Sequence, residues 1–336
     1  MQVKVTDLDD WDVEIEMDTG LLPSTIAGVT ISPSLTCHAD VLVTGRDWLP
    51  IRGGEVALLI HSPDDYFDKP YLARSGAEQA LRRTPQGVEA TLGTVRDLPG
   101  ESILIGGVPN HYHWLVDYLP RLLMARRCMK LPRVLINRPS VIQLQSLTLL
   151  GIEEWECVDP GESVRCERLW IPSLLARQTV VHPEVPAMLK QAFPASEAGR
   201  RRSIYLSRRD ASSRRIVNEA ALLAALPDFE THVASGLSFQ QQIDLFASCD
   251  RLLAAHGAGM ANVVFCPPGA RVYEFYTPLH QVTSMQILSI VSGAMHTFVP
   301  ARNVTLGADG RPLLGDWEAD IDAALAATGQ RKLRQS

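Results

Sequence analysis

Arg251-Leu252-Leu253-Ala254-Ala255-His256-Gly257-Ala258-Gly259 is the stretch on which the reading of this chain turns. Residues 251–255 form a short apolar run of the kind a buried parallel strand needs, and the paired glycines after it read as a turn into a helix that reaches Phe265. A strand-turn-helix of this type exposes backbone N–H groups and the positive end of a helix dipole, so an anion can approach the turn. The six-residue glycine pattern of dinucleotide folds is not present, and the turn has to be weighed with its neighbours.

Working outward, Pro267-Pro268-Gly269 reads as a turn and 271–275 as a strand carrying one acid, Glu274. Upstream, 238–248 reads as a helix opened by Ser238 with Gln241 three residues on, the capping-box spacing. Before it come a strand at 230–234, a helix at 218–225 and a strand at 203–207. This alternation predicts a doubly wound α/β unit, in which the carboxyl end of the first strand faces the glycine turn. That first strand ends in Ser207-Arg208-Arg209, with Arg214 close behind. Seven arginines lie between Arg200 and Arg215 against one acid, Asp210. Arginine binds phosphate oxygens through a planar fork that stays charged, so the cluster is a candidate anion site; the plainer alternative is a solvated basic loop. A carboxylate inside an apolar strand needs partners. For Glu274 these are either the ribose hydroxyls of a nucleotide or one of the arginines.

Further upstream, 181–199 holds Pro183, Pro186, Pro194 and a Ser-Glu-Ala-Gly run, and reads as a linker. Ahead of it, 102–105 reads as a strand, Gly106-Gly107 as a turn and 110–127 as an amphipathic helix. A strand at 133–136, a helix at 141–150 and short strands around Trp155 and Leu169 follow. This is a second α/β pattern. Residues 1–100 show short β-like runs and turns and say little about chemistry. The expected organisation is an amino-terminal domain over 1–185, β-rich over 1–100 and α/β over 101–185. A carboxy-terminal domain over 195–310 and a helix and tail over 311–336 complete it. Within Asn110-His111-Tyr112-His113-Trp114-Leu115-Val116-Asp117, His113 and Asp117 are four apart and share one helix face. A His and a carboxylate at a helix mouth can serve as general base for a hydroxyl, with Asp117 acting directly or orienting His113. His111 suits a structural role better.

The 336 residues suffice for two domains, and 46% hydrophobic with 21% charged residues is ordinary globular composition. A formal net charge of −6 argues against a general nucleic-acid binder. The six cysteines, at 37, 128, 157, 166, 249 and 266, lack the close spacing of a zinc site and read as buried thiols. The first residues lack the features of a secretory signal and no run is long enough to span a bilayer, so the expectation is a cytoplasmic protein. The basic tail 331–334 is a candidate peripheral membrane contact and also an ordinary frayed end. Nothing in the sequence specifies an oligomeric state.

Three ordered blocks over roughly residues 101–280 resemble glycosyltransferase family 61. N-H-Y-H-W-L-V-D-Y-L-P at 110–120 resembles the family's amino-terminal motif of Asn, His, Asp and Pro. I-Y-L-S-R-R-D-A-S-S-R-R-I-V-N-E at 204–219 is similar to its S-R…R-x-I-x-N-E block. The third block runs from L-S-F-Q-Q-Q-I-D-L-F at 237–246 through H-G-A-G-M-A-N to V-Y-E at Glu274. Met260-Ala261 stands where many members have Leu-Thr, which leaves the backbone role of the turn intact and puts any threonine hydroxyl contact aside. The resemblance implies a GT-B fold, two Rossmann-like doubly wound domains facing a cleft, and inversion in a single displacement from a nucleoside diphosphate sugar, a UDP-sugar, to a glycan hydroxyl. It implies catalytic roles for Asp117 and His113 and acceptor-side roles for Asn110, His111 and Trp114. To the nucleotide sugar it assigns Ser207, Arg208, Arg214, Asn218, His256, Gly257, Ala258, Gly259, Asn262 and Glu274. With arginines and backbone amides on the diphosphate a metal is dispensable and no cofactor is obligatory; Asp7-Leu8-Asp9 and Asp320-Ile321-Asp322 read as surface. Two rivals remain in view. One is a metallohydrolase using His111, His113, Asp117 and His256, weakened because residues two apart on a helix point to different faces. The other is a sugar-nucleotide-binding protein without catalysis.

Overall fold

A computed structural model of the chain describes residues 1–59, 67, 79–106, 110–136, 138–177, 179–196, 201–313 and 315–330. It is mixed α/β and divides into two compact units, Met1–Gln178 and Thr179–Ser336.

In the first unit the expected β-rich and α/β portions share one sheet. Thr94–Leu104 pairs in parallel with Arg133–Ile136 on one side and with Glu162–Pro172 on the other, and Arg133–Ile136 pairs in parallel with Trp155–Cys157. Numbered along the chain, these four strands lie in the order 3-2-1-4, which places a topological switch point between Thr94–Leu104 and Glu162–Pro172. Beyond Glu162–Pro172 the sheet turns antiparallel, through Leu35–Thr44 and Pro50–Arg52, and continues to the strands near the amino terminus. Two strands are longer than their sequence suggests. Glu162–Pro172 contains Arg165 and Glu167, which are exposed and alternate with buried Val164 and Cys166 on the other face. Thr94–Leu104 passes through Pro99-Gly100 by a register shift between Leu98 and Glu101.

The helix expected over 110–127 forms with a change of pitch. Asn110 caps it, its side chain accepting from His113 N, and it runs as α-helix His111–His113, π-helix Trp114–Tyr118 and α-helix Leu119–Cys128. Pro120 accounts for the widened turn: it has no N–H for the carbonyl four residues back and its ring crowds that carbonyl, so the Leu119 amide reaches Trp114 O instead. Before it, Gly106 adopts φ +76° against the Tyr118 ring, a conformation that favours glycine. Its neighbour Gly107 lies outside the described residues.

The second unit contains a parallel sheet of Arg202–Leu206, Glu230–His232, Cys249–Ala255, Arg271–Tyr276 and Met295–Asn303. Numbered along the chain, the order is 2-1-3-4-5, with Trp317–Ala319 added antiparallel at the end. The switch point falls between Arg202–Leu206 and Cys249–Ala255, so Ser207-Arg208 and His256-Gly257 emerge side by side. Tyr205, Leu253, Tyr273, Phe275 and Val299 point to one face and pack with Leu222, Leu226, Ala324 and Leu325. Glu274 falls between Tyr273 and Phe275 in the alternation and points to the opposite face. The capping box forms as expected, Ser238 Oγ accepting from Gln241 N while Gln241 Oε1 accepts from Ser238 N.

The stretch read as a linker differs most. Glu184–Ala192 is a helix, with Val185, Pro186, Met188 and Leu189 buried. Pro183 is its N-cap and Pro186 sits in its first turn, where the missing N–H has no intrahelical partner to lose. The prolines thus mark a helix start, and the 185, 188, 189 apolar spacing is the helical stripe they obscure. Residues 197–199 of that stretch, the following Arg200 and the tail 331–334 lie outside the described residues. The segment expected as a separate helix and tail is tied to the sheet through Trp317–Ala319, with Trp317 fully buried, before the helix Ile321–Thr328. Asp320 of the second D-x-D caps that helix, accepting from Ala323 N at 2.9 Å. Among the described residues, no helix is long and apolar enough to cross a membrane.

Candidate active site

In the first unit, His113 Nδ1 lies 2.5 Å from Asp117 Oδ2. The residues are four apart on the widened part of the helix, and their side chains keep 24% and 11% of their exposure. A carboxylate only accepts, so Nδ1 carries the proton and Nε2 is left with its lone pair. This is the base-and-orienter arrangement: the aspartate fixes the ring and stabilises it once protonated, and Nε2 can take a proton from a hydroxyl. Asn110 shapes this helix mouth by capping it. Trp114, expected on the acceptor side, is fully buried, and its Nε1–H donates to Ser146 Oγ at 2.9 Å; it anchors the helix to Val141–Leu149 as part of the core. His111 is partly exposed on the first turn. At the carboxyl ends of the switch-point strands, the buried Arg121 donates from Nε to Pro172 O and from Nη1 to Ile105 O, both at 2.7 Å, and so ties the helix to both strands.

The second unit sorts its arginines by partner. Arg201 pairs with Asp250, Arg202 with Glu230 and Arg215 with Asp316, while Arg209 is exposed. Arg208 and Arg214 have no carboxylate partner among the described residues, although both are half-buried. Arg208 donates only to the Ser213 carbonyl at 3.2 Å, and the Nε of each guanidinium is buried without a partner. Burial, and for Arg208 the charge of Arg214, lowers both pKa values, that of Arg208 to about 10. Two desolvated, uncompensated cations side by side favour an incoming anion.

The glycine turn abuts them. A Cβ on Gly257 would lie 1.8 Å from Arg208 Nη1, so the guanidinium occupies the space a side chain would take. At Gly259 a Cβ would meet only ordinary contacts, so the two glycines differ in need. Ala258 opens the 3-10 helix Ala258–Phe265, tighter than the helix expected there. Asn262 is buried within that helix, its Nδ2 donating to Gln242 Oε1 and Gly259 O, which braces the turn rather than lining a surface. Asn218 is likewise occupied, Nδ2 donating to Ala319 O and Oδ1 accepting from Ala319 N, both at 2.9 Å. Ser207 Oγ donates to Glu219 Oε1 and accepts from Arg209 N.

Glu274, expected to meet ribose or an arginine, is held by two histidines. His256 Nδ1 lies 2.5 Å from Oε1 and His296 Nε2 lies 2.8 Å from Oε2. Burial pushes its pKa up, but these two bonds outweigh burial and leave the carboxylate below its usual range. An ionised Glu274 accepts a hydrogen bond from His256 Nδ1–H, so only His256 Nε2 remains for a ligand. His256 also stacks edge-on with His280, ring centroids 4.6 Å apart, and His280 Nε2 lies 3.2 Å from Arg214 Nη1. Neither His280 nor His296 stands out in the sequence. His296 is linked to Glu274 only by strand pairing, which sets His296 opposite Val272, two residues from Glu274 on the same face.

Among the described residues no group of three or more His, Cys, Asp or Glu side chains is arranged to hold a metal ion. The chain matches the protein-family model Glycosyltransferase 61 over residues 111–273. That span includes His113 and Asp117, Arg208 and Arg214, and the glycine turn. No curated protein matches the chain.

Proposed function

The chain belongs to glycosyltransferase family 61 and is a glycosyltransferase, and from that premise we propose that it moves a sugar from a nucleoside diphosphate sugar, a UDP-sugar, to a hydroxyl of a glycan acceptor with inversion. The observation that carries the reading is the pair of half-buried guanidiniums, Arg208 and Arg214, left without carboxylates at the switch point beside Gly257. In this reading they bind the diphosphate together with the amides of the 257–259 turn and neutralise the charge that grows on the leaving group. His256, its ring fixed by Glu274 through Nδ1, donates from Nε2 to the same oxygens as the imidazolium. The first unit supplies the base. Asp117 holds the His113 ring, Nε2 takes the proton of the acceptor hydroxyl, and the oxygen attacks the anomeric carbon as its bond to the diphosphate breaks. One displacement inverts the configuration.

The proposal extends to a GT-B architecture, to function without an obligatory metal and to a cytoplasmic setting. Calorimetric titration of UDP, GDP, ADP and CDP, with and without chelator, tests it. Micromolar binding of one nucleotide that survives chelator, and weakens about a hundredfold in Arg214→Ala, supports the reading and names the donor's base. No binding by any of the four would sink it. Dependence on a divalent ion would remove the metal-free part alone.

A further inference from the structure

Arg214 is held at both ends by residues beyond the matched segment, which stops at 273. At the backbone it adopts φ 58°, a left-handed conformation uncommon for a side chain of this size. The segment 315–319 holds it there: Arg214 N donates to Gly315 O and Trp317 N to Arg215 O, both at 2.9 Å, while Arg215 pairs with Asp316 through its amide and its guanidinium. At the other end, Arg214 Nη1 meets His280 Nε2 at 3.2 Å. Guanidinium nitrogens only donate, so this contact is a hydrogen bond only if His280 Nε2 is the acceptor, in a neutral ring.

The ring is placed firmly. Thr277-Pro278-Leu279-His280 is a turn closed by His280 N donating to Thr277 O at 2.9 Å, with proline at its second position, and it follows directly on the strand that carries Glu274. His280 then lies between the rings of His256, 4.6 Å away, and Trp317, 5.8 Å away. The charged and titratable groups around it are His256, Arg214, Glu274 and Arg208. Three buried polar atoms in this neighbourhood have no partner: Arg214 Nε, Trp317 Nε1 and Thr277 Oγ1. Two of them are obligate donors, which suits an oxygen-rich anion.

We propose that His280 is a positioning residue of the anion site, whose neutral ring accepts the Arg214 hydrogen bond and aims that guanidinium at the diphosphate. The role rests on the donor-site reading above and deepens it. His280 does not touch the diphosphate; it acts through Arg214.

A double-mutant cycle on UDP affinity tests this, read by calorimetry and, for weak variants, by ligand-observed NMR, with GDP as second probe. His280→Leu, which keeps bulk and loses the acceptor, is expected to weaken UDP binding about tenfold. His280→Gln, whose amide oxygen can accept the same bond, should stay within about threefold of wild type. In an Arg214→Ala background His280→Leu should cost nothing further. His280→Ala repeats the cycle should the leucine variant not fold. Unchanged affinity in His280→Leu, or the same loss with and without Arg214, overturns the role of His280 and leaves the donor site standing. Absence of UDP, GDP, ADP and CDP binding in the wild type overturns both.

Discussion

The two regions that carry chemistry are finished to different degrees. In the first unit, His113 and Asp117 satisfy each other within one helix, leaving the Nε2 lone pair of the neutral ring. In the second unit, Glu274 is satisfied by His256 and His296, but Arg208 and Arg214 retain charge without a counter-ion and buried N–H groups without acceptors. The first region is complete as a proton acceptor before anything binds. The second is electrostatically incomplete, and an anion would complete it. Ligand binding should therefore stabilise the second unit far more than the first, and substitutions in the two regions should divide between turnover and affinity.

The largest effect expected is at Asp117. Asp117→Asn keeps the shape but no longer favours the Nδ1–H tautomer, so turnover should fall by about 10³- to 10⁴-fold with UDP affinity unchanged. Comparable losses of turnover and of UDP affinity would break the division between the two regions. Trp114→Ala sharpens it from the other side. Deleting this fully buried ring and its bond to Ser146 should destabilise the protein by about 3–5 kcal/mol, read as a shift of the urea midpoint, because the residue supports the helix and does not line a binding surface.

Gly257→Ala tests the second region by space alone. The new methyl would take the position of Arg208 Nη1, and a flexible guanidinium yields more readily than backbone. UDP affinity should fall about tenfold, with thermal stability nearly unchanged. Gly259→Ala, which meets only ordinary contacts, should fall well short of that. Equal effects at the two glycines would mean that the turn acts through backbone freedom and not through the room it leaves for Arg208.

What could be read from the sequence follows the same line between local and distant contacts. The Ser238–Gln241 capping box and the His113–Asp117 pair are three and four residues apart, and helical geometry makes such pairs neighbours. The approach of Arg208 to Gly257 was reachable in outline, because an α/β strand order brings those strand ends together. The partners of Glu274 were not, since His256 and His296 meet it through the register of separate strands. His280 and the 315–319 segment are further still, joined to Arg214 across the sheet. Asn218, Asn262 and Trp114 sit inside motif blocks, yet their polar atoms are engaged by Ala319, Gln242 and Ser146. Motif spacing reports that a residue is needed and not whether it faces a ligand or the core. Proline was the least reliable punctuation, marking the start of Glu184–Ala192 where a break was expected.

The smallest effect is a pH dependence set in the second region by His280 and Glu274. Burial, with the neighbouring charges of His256 and Arg214, lowers the His280 pKa from its ordinary 6.5 to about 4, so the folded protein keeps this ring neutral where the unfolded chain protonates it. Between those values the unfolded state binds more protons, and stability falls as the pH falls from 6.5 toward 4. Glu274 acts in the same direction: its folded pKa is lowered, so its contribution is present above the unfolded value and is lost as the pH falls through the folded one. Urea midpoints measured across this range should drop with acid, and His280→Gln should flatten part of the slope that begins near 6.5 while leaving the remainder, to which His38, His232, Glu274 and the arginine-paired carboxylates contribute. An unchanged slope in that variant would mean that His280 titrates alike in both states and that the second region, for all its unpaired cations, does not strain this ring.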